Sequence, residues 1–244
     1  MAGIVWLRPG DCVIDFSFQP PSMSATKAAG YSGIIGYLPW NPDAYETGCL
    51  NHSMIQACYD NGLVWGSVWE LNADRALGGW AAGVADGNSA GSSHRGLGGA
   101  PGSVISCAVD FDANVNTQPA VLDYVAAFTE VVSGYGFAPM AYGSVRVIDR
   151  VMAGKLASYG WQAEAWSYGM ESSYAHILQR IEGKRLPGTD HCDIYKPVPF
   201  TGAEGVGSIM AFSDDVAQQS FTDKVITGLL TAPHPPTGHA PTPA

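Results

Sequence analysis

The sequence is poor in charged residues, which make up 14% of its 244 positions, and basic residues are especially scarce. Twelve Lys and Arg stand against 22 Asp and Glu, which gives a formal net charge of −10. Nucleic-acid binding needs clustered basic residues to neutralise phosphates, so this balance argues against DNA or RNA as a partner. No apolar run reaches the roughly 18 residues of a membrane span, so we expect no membrane partner.

Several motifs of nucleotide, metal and nucleophile chemistry are also missing. The chain has no G-x-G-x-x-G after its first predicted strand, no P-loop and no G-x-S-x-G elbow. His191-Cys192-Asp193 has no matching His/Cys pair at metal-ligand spacing, so we expect neither a metal nor a cofactor. Five cysteines at irregular spacing form no disulfide framework and are expected to be free thiols.

The two ends of the sequence carry separate expectations. The start, MAGIVWLRPGD, lacks a basic region followed by an apolar one, so we expect no signal peptide and synthesis in the cytoplasm. Residues 232–244, APHPPTGHAPTPA, are rich in proline and predict a tail or linker that follows a folded domain of residues 1–231. Such a tail suits attachment to another protein.

Short β-rich runs alternate with helical segments along the chain. The pattern predicts a helix over residues 119–133 and a Gly/Ser-rich loop over residues 87–102. Strands are predicted at 12–18, 33–38, 63–71, 103–110, 137–142, 162–166, 176–181 and 192–195, with 208–212 as a competing candidate. This alternation predicts a single-domain α/β fold, a TIM-like (β/α) barrel.

Polar side chains at the C-terminal ends of barrel strands are the functional candidates. The predicted ends supply Asp15, Glu70, Asp110, Asp112, Tyr142, Trp166, Gln179 and Asp193. Because residues i and i+2 of a strand face one side roughly 7 Å apart, Asp110 and Asp112 are expected to form a carboxylate pair. Such a pair can protonate a glycosidic oxygen and stabilise an oxocarbenium-like centre.

Alternatives remain open for most of these residues. The alternative role of Asp112 is to cap the following loop, and that of Glu70 is an ion pair with Arg75. Tyr142 either binds a substrate acyl group or packs in the core. Trp166, Trp40 and Tyr37 are either platforms on which sugars stack or core residues.

Several short motifs in order along the chain carry a family resemblance. They are Ile14-Asp15-Phe16-Ser17, Val68-Trp69-Glu70, Cys107 to Asp112, Ala141-Tyr142-Gly143-Ser144, Ala165-Trp166 and Leu178-Gln179-Arg180. With them, residues 10–200 resemble the glycoside-hydrolase-like domain family of actinobacteria and their phages, which is similar to the peptidoglycan-cleaving family 25 lysozymes. The resemblance implies a TIM-like barrel in which Asp15, Asp110, Asp112 and Asp193 match acidic site positions.

One departure from the lysozyme pattern concerns the second acid on the fourth predicted strand. Family 25 lysozymes carry Asp-x-Glu there, whereas this chain has Asp112, one methylene shorter. As a whole, the resemblance implies a cell-wall glycoside hydrolase-like protein of an actinobacteriophage. Asp112 or Glu70 would be the general acid, Asp110 would stabilise positive charge and Asp15 would support the site. Tyr142, Trp166, Gln179, Asp193 and Trp40 would bind substrate. The alternative is a non-catalytic virion component, such as a minor tail or tail-tip protein.

Overall fold

A computed structural model describes residues 2–17, 19–40 and 48–203. In this part the strands are β1 (Ala2–Leu7), β2 (Cys12–Phe16), β3 (Gly33–Tyr37), β4 (Val64–Trp69), β5 (Val104–Ala108), β6 (Ala138–Gly143), β7 (Tyr159–Ala163), β8 (Ile177–Arg180), β9 (Asp190–Ile194) and β10 (Val198–Ala203). The α-helices are α1 (Met23–Ala28), α2 (His52–Asp60), α3 (Gly79–Gly96), α4 (Gln118–Gly134) and α5 (Val145–Ala153). Of the helices described, none is long and apolar enough to cross a membrane.

Eight strands, β2 to β9, form a closed barrel, because β4 pairs with β5 as well as with β3. The pairs from β2 to β8 are parallel. Strand β9 is antiparallel to both of its neighbours, β8 and β2. The predicted single-domain TIM-like α/β barrel is confirmed. Strand β9 is antiparallel because only residues 181–189 separate it from β8. This connection is too short for the helical crossover that a parallel strand needs.

A two-stranded ribbon that the sequence did not predict lies beside the barrel. Strand β1 pairs with β10 along its whole length, and β10 contacts β4 through Thr201 and Trp65. Phe200 of β10 is fully buried and packs with the residues of the barrel interior. It lies against Gly66, where an added Cβ would be 2.8 Å from the Phe200 ring. The ribbon thus fills space that a side chain on β4 would otherwise occupy. The competing strand at 208–212 and the tail at 232–244 lie outside the described residues.

Side chains of the barrel strands alternate between the interior and the surrounding helix layer, as the period of two requires. On β2, Val13 belongs to the interior cluster, whereas Ile14 and Phe16 pack in the outer layer. The same alternation directs Asp15 into the interior. Its position near the end of β2 places it at the mouth, the end of the barrel at which the parallel strands β2 to β8 terminate.

The prediction of a loop over residues 87–102 is wrong, because most of these residues belong to the 18-residue helix α3. Three glycines recur at every fourth position of this helix: Gly83, Gly87 and Gly91. Residues four apart share one helix face, so the glycines form a flat surface. A Cβ on Gly83 would lie 2.3 Å from the backbone oxygen of Tyr124 on α4, and a Cβ on Gly91 would lie 2.6 Å from the ring of Tyr135. The glycines therefore allow close helix packing.

Helix α3 is also joined to the barrel by a buried histidine. His94 is fully buried; its ring contacts the Ser67 hydroxyl at 2.7 Å through Nδ1 and the Ser103 hydroxyl at 2.8 Å through Nε2. Burial lowers the pKa of His94 to about 3, so the ring is neutral. It acts as a structural link between α3 and strand β4.

Candidate active site

Asp15 lies at the mouth and is enclosed by polar groups from two other strands. It is 6% exposed and accepts hydrogen bonds from Gln179 Nε2 of β8 at 2.9 Å and from Cys192 Sγ of β9 at 3.2 Å, both on Oδ2. Burial raises its pKa to about 7, and the Gln179 hydrogen bond opposes part of that rise. Asp15 is thus a carboxyl group whose protonation changes near neutral pH.

Tyr142, at the end of β6, connects Asp15 with a second carboxyl group. Its hydroxyl donates to Gln179 Oε1 at 2.8 Å, so Gln179 bridges Tyr142 and Asp15. Burial raises the pKa of Asp110, and the nearby Tyr142 hydroxyl opposes only part of that rise. The Tyr142 ring packs edge-on against Trp161, with centroids 4.6 Å apart, which fixes where the hydroxyl points.

Glu70, directly after β4, is the third carboxyl group of this cluster. Its Oε2 accepts a hydrogen bond from the Tyr37 hydroxyl at 3.1 Å. Its pKa is raised to about 7, first by burial and then by the charge of Asp110, while the Tyr37 hydrogen bond opposes the rise. Glu70 does not form the alternative ion pair with Arg75, whose guanidinium binds Asp86 at 2.8 Å instead.

Tyr37, at the end of β3, shows how closely the three carboxyl groups converge. Its pKa is raised first by burial and then by the charges of Glu70, Asp15 and Asp110. The mouth therefore holds three carboxyl groups around two tyrosine hydroxyls and one amide. Carboxyl groups with raised pKa values in one cleft are suited to general acid and base chemistry near neutral pH.

Asp112 is not hydrogen-bonded to this cluster. Its Oδ2 accepts a 2.5 Å hydrogen bond from Tyr168 in the loop after β7, and its Oδ1 lies 3.8 Å from Arg146 Nη1 on α5. Strand β5 ends at Ala108, so Asp110 and Asp112 lie in the following loop, where the alternation expected of a strand no longer applies. The prediction that Asp110 and Asp112 form a same-side pair rested on strand alternation, and this reason does not hold in a loop.

Asp193 faces away from the cluster. Its carboxylate binds Arg180 Nε at 2.9 Å and His191 Nε2 at 2.9 Å, and these contacts lower its pKa against the effect of burial. Because neighbouring residues of β9 face opposite sides, Cys192 points to Asp15 and Asp193 points outward. The antiparallel direction also pairs Asp193 with Cys12, at the start of β2, rather than with the end of β2.

The two predicted sugar platforms occupy different settings. Trp166 lies beyond the end of β7, half-buried in a loop, with a positive φ of 56°. Trp40 follows β3 and is 66% exposed, and its ring centroid lies 5.9 Å from that of Trp69. Trp40 follows the C-terminal end of β3 and so lies at the same end of the barrel as the carboxyl cluster, although the Trp69 side chain that it contacts packs in the outer layer.

Two contributors were not predicted in the positions that the structure gives them: Tyr37 and Cys192. Tyr37 was expected to be either a sugar platform or a core residue, and its place at a strand end indicates a hydrogen-bonding role by the same rule that selected Tyr142. Cys192 reaches Asp15 only because β9 is antiparallel, which no local pattern indicated. Within the described ranges, no group of three or more His, Cys, Asp or Glu residues is arranged to hold a metal ion.

The fold is shared with solved structures of several proteins. The Mycobacterium tuberculosis Tat-secreted protein Rv2525c, in complex with L-tartrate, has a TM-score of 0.67 and 23% identity over 76% of this chain and 96% of that chain. A muramidase from Acremonium alcalophilum has a TM-score of 0.50 and 13% identity, over 75% of this chain and 93% of its own. The catalytic domain of endolysin ply40, from bacteriophage P40 of Listeria monocytogenes, has a TM-score of 0.50 and 14% identity, over 80% and 94%.

At these identities the likeness to solved structures concerns the fold alone. No curated protein sequence matches the chain. The profile of the Rv2525c-like, glycoside hydrolase-like domain matches residues 24–194, which is more than half of the sequence. The chain therefore belongs to the Rv2525c-like family of glycoside hydrolase-like domains.

Proposed function

We propose that this protein is a glycoside hydrolase that acts on cell-wall glycan, with Glu70 as general acid and Asp110 as the partner carboxylate. The family to which the chain belongs and the fold that it shares with muramidases support a glycan-directed role. The observation that carries the proposal is the convergence of Glu70, Asp110 and Asp15 at the barrel mouth, where Tyr37 donates a hydrogen bond to Glu70 and where burial and the charge of Asp110 raise the pKa of Glu70 to about 7.

Glu70 and Asp110 have different proposed roles because their surroundings affect their protonation differently. A glycosidase needs one carboxylic acid that remains protonated near neutral pH and a second carboxylate that stays ionised near the developing oxocarbenium centre. Burial and the charge of Asp110 raise the pKa of Glu70 to about 7, so part of the Glu70 population is protonated near neutral pH, and Asp110 is the charged partner that contributes to this rise. Asp15 acts indirectly, because it holds Gln179, and Gln179 accepts the hydrogen bond of Tyr142.

Trp40 supplies a place for the sugar beside the acid. It is 66% exposed, and its ring lies 5.9 Å from that of Trp69, next to Glu70 in sequence. The apolar face of a sugar ring stacks on such an exposed indole while its polar edge reaches the carboxyl groups.

The test is release of reducing sugar from purified bacterial cell walls. General-acid catalysis contributes about 10²- to 10⁴-fold, so Glu70→Gln should lower the rate by at least about 10²-fold. Asp110→Asn should have a comparable effect. Asp112→Asn is the matched control and should stay within a few-fold of wild type, because Asp112 contacts Tyr168 and Arg146 instead of the cluster. A Glu70→Gln variant that melts like wild type and retains full activity would reject the assignment.

A second function, a non-catalytic glycan-binding component of a virion, is favoured by one observation. The second acid of the Asp-x-Asp motif, Asp112, accepts a hydrogen bond from Tyr168 rather than from a residue of the cluster, which favours a role other than that of the acid in the lysozyme pattern. Wild-type protein that sediments with cell walls without releasing reducing ends would support this function. The C-terminal tail, proposed as its attachment to other proteins, lies outside the described residues.

A further inference from the structure

A cavity of about 460 Å³ lies beside the mouth, between helices α4 and α5, and belongs to none of the groups described above. The loop before α4 supplies Ala113, Asn114 and Val115, α4 supplies its first residue, Gln118, and α5 supplies Arg146, Asp149 and Arg150. This volume is within the range of small-ligand sites in proteins. We propose that this α4–α5 cavity binds a short acidic peptide carried as a branch by the glycan, an inference that rests on the proposed function.

The first ground is Gln118, a buried side chain on the cavity wall with unused hydrogen-bonding capacity. It is 3% exposed, and neither its amide nitrogen nor its amide oxygen has a partner within the described residues. A buried polar group without a partner costs about 1–3 kcal/mol, so such groups point to function. A peptide offers N–H and C=O groups together, which match the free acceptor and the free donor of Gln118.

The second ground is the charge of the cavity. In the described ranges Arg150 is exposed and forms no ion pair, although the chain as a whole carries a net charge of −10. One acid, Asp149, also lines the cavity, and its Oδ1 accepts a hydrogen bond from the Ser172 hydroxyl at 2.5 Å, so two arginines against one carboxylate leave the lining with a net positive charge. Arg146 is only loosely paired, since its Nη1 lies 3.8 Å from Asp112. Guanidinium groups bind carboxylates through paired hydrogen bonds, so the arginines select a peptide with a free carboxylate.

The third ground is distance from the carboxyl cluster. Ala113, at the cavity wall, is three residues from Asp110, so their Cα atoms are separated by at most about 11 Å. A sugar unit bound at the mouth can therefore place a peptide branch of two or three residues in the cavity. This arrangement would make the protein selective for peptide-bearing glycan over bare polysaccharide.

The experiment is a calorimetric titration with three soluble probes. N-acetylmuramyl-L-alanyl-D-isoglutamine carries a sugar, two peptide groups and a free carboxylate. N-acetylmuramic acid carries the sugar and a carboxylate without the peptide, and N-acetylglucosamine carries neither. Wild-type protein should bind the muramyl dipeptide at least about tenfold more tightly than either peptide-free probe.

Two variants and one control then locate the binding site. Arg150→Gln removes the charge from an exposed position, and Gln118→Met removes both hydrogen-bonding groups at similar volume. Each should abolish the tenfold preference. Lys155→Gln removes one positive charge from the exposed turn after α5 without touching the cavity, and it should leave the preference intact. Because Arg150 is exposed, its variant should fold even if the Gln118 variant does not.

Equal binding of all three probes by wild type would overturn the proposal, and so would an unchanged preference in Arg150→Gln. Equal binding of N-acetylmuramic acid and the dipeptide would overturn the peptide assignment. Glu70→Gln separates this inference from the proposed function, because it should lose wall hydrolysis and keep the dipeptide preference. Wall hydrolysis without the dipeptide preference would reject the peptide site in the cavity and retain the proposed function. The dipeptide preference without wall hydrolysis would retain the peptide site and reject the proposed function.

Discussion

Replacement of Asp15 by Asn should stabilise the fold, and more so as the pH rises. Asp15 has a pKa of about 7 in the folded state, mainly because of burial, against 3.8 for an aspartate side chain in water. Between these two values the folded state binds more protons than the unfolded state, so wild-type stability falls as pH rises. The difference between the folded and unfolded pKa values of Asp15, at 1.36 kcal/mol per pH unit, lowers the free energy of unfolding by about 4 kcal/mol above pH 7.

The substitution removes that penalty while it preserves the local hydrogen bonds. Gln179 Nε2 and Cys192 Sγ both donate to the same oxygen, Oδ2, so a single amide oxygen of Asn can accept from both. Asp15→Asn should therefore resemble wild type near pH 4 and exceed it by a few kcal/mol at pH 8. Glu70 titrates in the same window, but the difference between the two proteins isolates the contribution of Asp15.

The assay is urea denaturation of both proteins at pH 4, 6 and 8. The control is Asp123→Asn, the same chemical change at an exposed position on α4, which should give no pH-dependent difference from wild type. A stability difference between Asp15→Asn and wild type that stays constant from pH 4 to pH 8 would refute the reasoning. So would an Asn variant that is less stable than wild type at pH 8.

Three further predictions concern the proposed acid, the contact between α3 and α4, and the ribbon. Wall hydrolysis should decline as pH rises through about 7, because Glu70 must be protonated to act as the acid; a rate that increases steadily to pH 9 would contradict this. Gly83→Ala should destabilise the protein by about 2–3 kcal/mol in denaturant titrations, because its Cβ would meet a backbone oxygen at 2.3 Å, whereas Gly134→Ala, with nothing within 4 Å, should not destabilise it. Phe200→Ala should cost about 3–5 kcal/mol through the cavity left in the barrel, and a smaller loss would show that the ribbon contributes little.

The parallel part of the barrel could be predicted from the sequence because its elements carry local signals. The apolar run at residues 103–110 corresponds to β5 (Val104–Ala108), and the helical spacing at 119–133 corresponds to α4 (Gln118–Gly134). The strand-end rule also selected Asp15, Glu70 and Asp110, which the structure brings together. Their roles stay predictions until activity is measured.

The features that were missed depend on contacts between distant segments. The sequence of helix α3 was interpreted as a loop because glycine has low helix propensity. Its glycines allow close packing against α4, and 21 residues separate the end of α3 from the start of α4. The direction of β9 was also hidden, because a strand pattern does not reveal which way the strand runs. Asp193 was assigned to the mouth on the assumption of a parallel strand, and the reversed strand places it outside.

The reversal of β9 also decides what Asp15 can do. It brings the Cys192 thiol to Asp15, where Gln179 already binds, and these two donors enclose a carboxyl group that is only 6% exposed. A carboxyl group so enclosed has little surface left for a substrate atom. Glu70 is only partly buried, and within the described ranges its one hydrogen bond comes from Tyr37 to Oε2, which leaves Oε1 for a glycosidic bond. This difference in burial supports the proposal that Asp15 orients the site and that Glu70 reacts.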